Sequence, residues 1–252
     1  MEPVITIPAL GDNYIYLYCY RQGNTFVVDP GSATAVLKVL EKYGLNLTHV
    51  LATHRHFDHS AGIEDLRRKT GCEIARSEKT AILKIANVNV QVITTPGHTQ
   101  DSVCYYVQPF QGNSGILFTG DTLFIGGCGR PIECDASTMW HSLQKIAALP
   151  DDTLVYPGHD YTEENYEFAL TIEPDNPAVK LRLDEVKQAR RQGFGFPPCR
   201  VSPTVPSTIL QEKTTNVFLR AHTAQIKAAV NMPNATDAEI FTELRSRKNL
   251  FG

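Results

Sequence analysis

Three histidines and an aspartate lie close together in residues 53–59, Thr-His-Arg-His-Phe-Asp-His, directly after an apolar run. His54 and His56 are two positions apart, so on an extended segment their imidazoles leave the same side. A bend at Asp58 and His59 would aim that pair elsewhere. One tetrahedral ion needs three or four ligands from one direction, whereas two divalent ions about 3.5 to 4 Å apart need two directions. The spacing favours a two-metal site over a polar loop with incidental histidines.

Three later motifs offer further ligands, and each follows a predicted strand. They are Thr-Pro-Gly-His at 95–98, Thr-Gly-Asp at 119–121 and Tyr-Pro-Gly-His at 156–159, which place His98, Asp121 and His159 directly after a glycine. Glycine permits a tight turn where backbone must approach a crowded centre. Any one of these histidines alone would be an ordinary surface or core residue. Four clusters in one sequence context predict a shared metal centre.

Short strands dominate the part of the chain that must position these motifs. Alternating or apolar runs predict strands at 4–7, 14–20, 25–28, 49–52, 90–94, 102–107, 115–119 and 153–156. Helices are predicted from Ser32 to near Gly44, from Ser60 to Gly71, and from Ser137 onward. Hairpin-like neighbours outnumber βαβ units, so we expect a layered α/β domain with two largely β halves. Its functional loops should follow strand ends.

The composition changes after about residue 170. Asn176 and Pro177 are a cap and first-turn proline for a helix predicted to end at Gly193, and a proline-rich loop follows. Residues 214–230 and 236–248 also have helical patterns, the latter with a capping box of Thr236 and Glu239. We therefore predict a metal-binding catalytic domain at 1–171 and a mainly helical domain at 172–252.

Composition restricts the partners of the chain. The 252 residues are 42% hydrophobic and 20% charged, with a net charge of -3, which argues against broad binding to nucleic acid or anionic membranes. The six cysteines form no C-x-x-C pair and are expected to be reduced thiols. No signal-peptide pattern or membrane-length apolar run is visible. We expect a cytoplasmic monomer without nucleic-acid or membrane partners.

With these motifs, the chain resembles the hydroxyacylglutathione hydrolases (glyoxalase II) of the metallo-β-lactamase superfamily. The resemblance extends from residues 8–14, Pro-Ala-Leu-Gly-Asp-Asn-Tyr, to residues 244–248, and includes T-H-x-H-x-D-H at 53–59. It implies an α+β fold, an αββα sandwich with a C-terminal mainly helical domain. It also implies two divalent metal ions, with zinc expected and iron or manganese as alternatives. The implied ligands are His54, His56 and His98 for one ion, Asp58, His59 and His159 for the other, and Asp121 bridging both.

Two ions that share a water lower its pKa, supply a Lewis acid and stabilise a developing oxyanion. Attack on a thioester would then need no serine or cysteine nucleophile, and a thiolate leaves readily. Asp58 would help to orient the hydroxide while it holds its metal. The resemblance implies hydrolysis of a glutathione thioester, typically S-D-lactoylglutathione to D-lactate and glutathione, a step of methylglyoxal detoxification.

Arg245 and Lys248 are three residues apart and so share a helical face, where they could meet the carboxylates of a peptide-like anion. The alternative is a basic last turn that complements the helix dipole. Both residues match glutathione-binding positions of the family, and Arg130 and Tyr161 match other contacts. The chain departs from the family pattern at three positions, which leaves its affinity or preferred thiol open. These are Ile132 in place of an aromatic residue, Cys134 in place of glycine, and Asp160 in place of glutamate.

Three other functions remain to be compared with this one. A persulfide dioxygenase of the same fold would lack the long helical extension at 172–252. A nuclease would need a basic surface, which is not visible. A structural zinc site is a closed set of four ligands, fewer than the candidates here. His49, His141 and His222 match no ligand position and are interpreted as ordinary structural or surface residues.

Overall fold

The computed structural model describes residues 3–75, 81–109, 112–192 and 205–251. Its first half forms a five-stranded sheet in chain order, with β3 and β4 parallel and the preceding neighbours antiparallel. The strands are β1 (Val4–Ala9), β2 (Asn13–Cys19), β3 (Asn24–Val28), β4 (Asn46–Leu51) and β5 (Glu73–Ile74). The helices are α1 (Ala33–Tyr43), α2 (Phe57–Ser60) and α3 (Ile63–Thr70).

The second half forms a six-stranded sheet and the remaining helices. Its strands are β6 (Ile82–Ile85), β7 (Val88–Thr94), β8 (Val103–Val107), β9 (Ile116–Gly120), the small pair β10 (Leu123–Phe124) and β11 (Gly127–Cys128), β12 (Leu154–Pro157) and β13 (Ser207–Thr208). The sheet order is β13-β12-β9-β8-β7-β6. The helices are α4 (Ala136–Ala147), α5 (Thr162–Ile172), α6 (Pro177–Arg191), α7 (Ile209–Thr215), α8 (Ala224–Ala229) and α9 (Asp237–Asn249).

Strand β2 shows how the layers stack. Tyr14 and Tyr16 face the second sheet, where the ring of Tyr16 lies 5.4 Å from that of Phe118. Ile15 and Leu17, on the opposite face, share a second core with the apolar residues of α1 and α3. Helix α4 buries its apolar face in the same core as the second sheet. The predicted αββα order of layers is therefore present.

The C-terminal helices do not form a core of their own. Apolar residues of α6 to α9 belong to the cluster that also contains the second sheet, and β13 pairs antiparallel with β12 at the edge of that sheet. The predicted boundary between residues 171 and 172 falls at the end of α5. That division into two domains stays a prediction.

Helices with local capping signals follow the sequence predictions closely. Ser32 caps α1, which ends at Gly44 in the left-handed conformation, and α3 ends in the same way at Gly71. Thr236 and Glu239 form the predicted capping box of α9. No helix of the described residues is long and apolar enough to cross a membrane.

Three predicted helix boundaries were wrong or fall outside the described residues. Helix α4 begins at Ala136, and its cap is Asp135, two residues before the predicted cap Ser137, because Asp135 accepts a hydrogen bond from the amide of Thr138 at 2.7 Å. The single helix predicted over 214–230 is instead the end of α7, which stops at Thr215, and α8, which begins at Ala224 after residues 216–223. Helix α6 ends at Arg191, while the predicted stop at Gly193 lies outside the described residues.

Candidate metal centre

The seven predicted ligands converge at one end of the sandwich. The four motifs follow β4, β7, β9 and β12, so both sheets contribute. Their ligand atoms form three overlapping groups that could hold metal. The groups are His54, His56 and His98; His54, His59 and Asp121; and Asp58, His59 and His159.

The first cluster has the dimensions of a metal site. Nδ1 of His56 lies 3.1 Å from Nε2 of His54 and 3.1 Å from Nε2 of His98. Oδ2 of Asp121 lies 3.4 Å from Nε2 of His98. Ligand nitrogens about 2.0 to 2.1 Å from a tetrahedral ion are about 3.3 to 3.4 Å apart. These three distances are therefore close to the edge length of a tetrahedral site.

The second cluster is equally compact. Nε2 of His59 and Nε2 of His159 are 3.2 Å apart, and Oδ2 of Asp58 lies 3.4 Å from each. Oδ1 of Asp121 lies 3.4 Å from the first nitrogen and 3.3 Å from the second. Because the two oxygens of Asp121 face different clusters, this carboxylate has the geometry of a bridge.

In a neutral histidine, a hydrogen bond donated by one ring nitrogen leaves the lone pair on the other ring nitrogen. Nδ1 of His98 donates to the carbonyl oxygen of Arg130 at 2.9 Å, so its Nε2 presents a lone pair to the cluster. Oδ1 of Asp121 is buried and makes no hydrogen bond of acceptable geometry. Lone pairs that converge at the first cluster, beside the buried carboxylate of Asp121, are hard to stabilise without a cation. The donor set therefore fits divalent metal ions.

Asp29 supports the centre and was missed by the sequence analysis. It is buried, and Oδ1 and Oδ2 accept hydrogen bonds from the amide and the hydroxyl of Thr53, each at 2.7 Å. Oδ2 also lies 3.0 Å from Nδ1 of His59. From the sequence alone, Asp-Pro-Gly at 29–31 indicates only a turn. Its position directly after a strand was the signal that could have identified it.

Two more supporting side chains come from the connection between β1 and β2 and from the first residue of β2. Oδ1 of Asp12 lies 3.0 Å from Nδ1 of His159, and Nδ2 of Asn13 donates to Oδ2 of Asp58 at 2.9 Å. Asp12 and Asn13 lie within the 8–14 segment that carried the resemblance, but no role had been predicted for them. Partners of this kind set the orientation of metal ligands.

Charge separates the two histidine sets. Burial favours a neutral ring at His59, but the charge and hydrogen bond of Asp29, with Asp58 and Asp121, raise its pKa to about 11. Asp121 and Asp58 outweigh burial at His159 and raise its pKa to about 10. The histidines of the first cluster behave in the opposite way. Burial lowers the pKa of His54 to about 4 and also lowers the pKa of His98.

The two carboxylates are held in their ionised forms. Hydrogen bonds from His159 and His59 keep the pKa of Asp58 well below its usual range. Burial acts against ionisation of Asp121, but the proximity and charge of His159 keep its pKa low as well. Both carboxylates are therefore available to cations at neutral pH.

The glycines that precede the ligands are required by space. Gly120 has a φ of +48°, and a Cβ there would lie 2.2 Å from the hydroxyl of Thr53. A Cβ at Gly158 would lie 2.6 Å from Oδ1 of Asp121. A side chain at Gly120 would therefore displace Thr53 at the start of the ligand stretch, and one at Gly158 would displace the carboxylate of Asp121.

A cavity of about 280 Å³ opens beside the clusters. Its lining includes His98 and Asp121 from the centre. The same lining contains all four predicted substrate contacts, Arg130, Tyr161, Arg245 and Lys248. The cavity that contains these cations is therefore lined in part by two of the candidate metal ligands.

Arg245 and Lys248 point into this cavity. Nη1 of Arg245 donates to the carbonyl oxygen of Cys128 at 2.9 Å, and its guanidinium lies 5.0 Å from the ring of Phe218. Lys248 is only 8% exposed and forms an ion pair with Glu164. These contacts favour a role in the cavity over a basic last turn that serves only the helix dipole.

Tyr161 lies between the cavity and the ligands. Its ring stacks on that of His159, with centroids 5.2 Å apart. The residues that depart from the family pattern lie outside the ligand set. Ile132 is exposed, and the buried Asp160 accepts a hydrogen bond from the hydroxyl of Tyr14 at 3.1 Å.

Comparisons with known proteins agree with this arrangement. The model of the metallo-β-lactamase superfamily matches residues 9–88 and 78–159, and that of the hydroxyacylglutathione hydrolase C-terminus matches residues 160–251. A hydroxyacylglutathione hydrolase of Cereibacter sphaeroides is 40% identical, with 98% of each chain covered. One from Methylococcus capsulatus is 37% identical and covers 100% of this chain and 99% of its own. This chain belongs to the hydroxyacylglutathione hydrolase family.

The hydroxyacylglutathione hydrolase family and the α+β fold are thus confirmed predictions. The crystal structure of ETHE1 from Myxococcus xanthus has the same fold, with a TM-score of 0.63, 22% identity and 99% of each chain covered. The match of residues 160–251 to the hydrolase C-terminus argues against a persulfide dioxygenase lacking this extension. The fold and the histidine and aspartate clusters together imply divalent metal ions.

Proposed function

We propose that this enzyme hydrolyses the thioester of S-2-hydroxyacylglutathiones, typically S-D-lactoylglutathione to D-lactate and glutathione. One observation carries the proposal: the cavity lined by Arg130, Arg245 and Lys248 shares Asp121 with the ligand clusters. A bound peptide-like anion would therefore present its acyl group to the metal centre. The relatives named as hydroxyacylglutathione hydrolases support this substrate class.

The seven clustered side chains would hold two ions. His54, His56 and His98 would hold the first, while Asp58, His59 and His159 hold the second. Asp121 would bridge them through its two oxygens, which face different clusters. Mixed imidazole and carboxylate ligands suit zinc, and iron or manganese would also fit. We propose zinc because the edges of each cluster are close to those of a tetrahedral site.

When bound, the two ions lower the pKa of water, polarise the thioester carbonyl and stabilise the developing oxyanion. Asp58 stays ionised, and Asn13 fixes its Oδ2 by a hydrogen bond of 2.9 Å. A carboxylate oxygen of Asp58 would accept a hydrogen bond from the attacking water and so orient it. Burial raises the pKa of the Cys128 thiol, which argues against a covalent route through that residue.

Substrate binding would use the cations and the ring of the cavity. Arg245 and Lys248 would meet carboxylates of the glutathione part, Arg130 would contribute from the exposed rim, and Tyr161 would lie against the bound chain. A thiolate is a good leaving group, so no separate acid is needed. The cytoplasmic location, the monomeric state and the absence of nucleic-acid or membrane partners stay predictions.

The decisive assay is hydrolysis of S-D-lactoylglutathione beside other glutathione thioesters, with metal analysis of the same sample. We expect Asp121→Ala to lose both turnover and metal. Arg245→Ala with Lys248→Ala should raise KM by roughly tenfold or more at intact metal content. Arg247→Ala is the matched control, because Arg247 on the same helix contacts Glu243 and Val230 instead of the cavity. Unchanged KM in the double variant would contradict the proposal.

A further inference from the structure

Glu164 lines the cavity and pairs with Lys248, although nothing in the sequence patterns had assigned it a role. Glu164 lies in the first turn of α5, and Lys248 lies in the last turn of α9. The pair therefore joins two helices across the space proposed for substrate. An acidic side chain at this point is unexpected in a cavity that should attract anions.

The other cavity cations lack such a partner among the described residues. The guanidinium of Arg245 donates to the carbonyl of Cys128 and to Oδ1 of Asn249, which are uncharged. Arg130 forms no ion pair within the described part of the chain and is exposed. Among the cavity cations in the described part of the chain, Lys248 is therefore the one whose charge is neutralised by an ion pair.

The two side chains of the pair differ in their exposure to solvent and in their other contacts. The side chain of Lys248 is 7% exposed, and its ammonium lies 5.7 Å from the ring centroid of Phe168 and 5.1 Å from that of Phe251. The side chain of Glu164 is 54% exposed and has no second partner among the described residues. Rotation of Glu164 into water would leave the carboxylate solvated near a helix N-terminus, which favours negative charge.

We propose that Glu164 is a specificity-determining residue, a displaceable counter-ion that occupies Lys248 until a carboxylate of the substrate replaces it. The proposal rests on the proposed function, in which Lys248 binds the glutathione part of a thioester. Without a counter-ion, the free enzyme would hold a buried cation alone, which is costly. With Glu164 present, a carboxylate-bearing substrate gains only the difference between two ion pairs.

This exchange affects binding in the ground state and the transition state equally. It should therefore raise KM for anionic thioesters and leave kcat unchanged. A half-exposed ion pair of this kind corresponds to an effect of roughly two- to fivefold. Thioesters without carboxylates would not compete for Lys248 and would be insensitive to Glu164.

The test compares Glu164→Gln with the metal-loaded wild-type enzyme on two substrates. One is S-D-lactoylglutathione, and the other is the same thioester with both glutathione carboxylates converted to amides. We expect the variant to lower KM for the first by roughly two- to fivefold, without change for the diamide. Glu163→Gln is the matched control, because Glu163 pairs with Arg190 outside the cavity lining.

Two results would overturn the inference. A raised KM for S-D-lactoylglutathione would mean that Glu164 binds the substrate ammonium, if KM for the diamide rises as well, or holds Lys248 in position, if KM for the diamide is unchanged. An unchanged KM for S-D-lactoylglutathione would mean that Glu164 has no effect on recognition. Calorimetric titration with glutathione alone gives a readout without turnover, in which Glu164→Gln should bind more tightly. Failure of the wild-type enzyme to hydrolyse the thioester would refute the proposed function separately.

Discussion

Oδ2 of Asp29 lies 3.0 Å from Nδ1 of His59, and both side chains are buried. The two residues are 30 positions apart, yet the carboxylate fixes the ring of His59 so that its Nε2 faces the centre. Asp29 also holds the backbone of Thr53, at the start of the ligand stretch. It therefore links the orientation of a ring to the path of the chain that carries it.

Asp29→Asn should weaken the ion proposed for Asp58, His59 and His159. The amide replaces one acceptor oxygen with an NH2 donor, so it cannot accept all three hydrogen bonds from the Thr53 amide, the Thr53 hydroxyl and His59. We expect roughly a 10- to 100-fold loss of affinity at this site, measured by competition with a chelating dye. Asp12→Asn is the comparison: Asp12 contacts His159 in the same way but its side chain is 48% exposed, so a smaller loss is expected. Equal metal affinity in Asp29→Asn and the wild type would refute this role.

Metal and protons should compete at the second cluster more than at the first. In protein stripped of metal, the raised pKa values of His59 and His159, about 11 and about 10, keep both rings protonated at pH 7.5. Filling that cluster should therefore release about two protons, detected by calorimetry in buffers of different ionisation enthalpy. The lowered pKa values of His54 and His98 predict little release from the first cluster. Proton release independent of which cluster fills would contradict this assignment.

The same pKa shifts predict whether the stability of the metal-free protein rises or falls with pH. A folded pKa above the ordinary histidine value of 6.5 means that protonated His59 stabilises the fold fully below about pH 6.5. That contribution should disappear as pH rises through about 11. Urea unfolding of chelated protein between pH 6 and 10 should show declining stability, and a rise would contradict the assignment.

Gly158→Ala should reduce metal binding more than it reduces the stability of the fold. Its Cβ would lie 2.6 Å from Oδ1 of Asp121 and 2.8 Å from Cε1 of His59, so the bridge must move. We expect loss of metal and turnover, measured by elemental analysis and thioester hydrolysis. Gly44→Ala is the control, because Gly44 caps α1 at φ +62° with no atom within 4 Å of a Cβ. That variant should lose about 1 kcal/mol of stability and keep its metal.

Glu133→Gln tests the loop that carries Arg130. The side chain of Glu133 accepts a hydrogen bond from the amide of Gln100 at 2.9 Å and pairs with Arg55, while its own amide donates to the carbonyl of His98. Loosening this loop should raise KM by roughly two- to fivefold, the scale of an exposed ion pair. Metal content should not change. Loss of metal would show instead that Glu133 acts through His98.

Features that depend on neighbouring residues could be predicted from the sequence. Ser32 and Gly44 bound α1, and Thr236 with Glu239 starts α9, because each cap involves groups within one turn. The four ligand motifs could also be found, since each follows a strand and the carboxyl ends of strands gather at one edge.

Features that depend on distant partners could not. Asn216 divides the predicted 214–230 helix because Nδ2 donates to the carbonyl oxygen of Gly127 at 2.9 Å, 89 residues away. Oδ1 of the same residue accepts a hydrogen bond from the amide of Phe218 and bends the chain. Glu164 meets Lys248 across 84 residues. In these cases the local pattern was right about propensity, but contacts made only in the folded chain decided the structure.

The ligand loops come from both sheets, so bound ions would act as a crosslink between the two halves of the sandwich. Residues 54–59 follow the first sheet, whereas His98, Asp121 and His159 follow strands of the second. Separation of the halves would then require release of the metal. By thermodynamic linkage, free metal at about 100 times its dissociation constant adds about 2.7 kcal/mol per site to the free energy of unfolding. The centre that would cleave the thioester would also clamp the two layers of strands together.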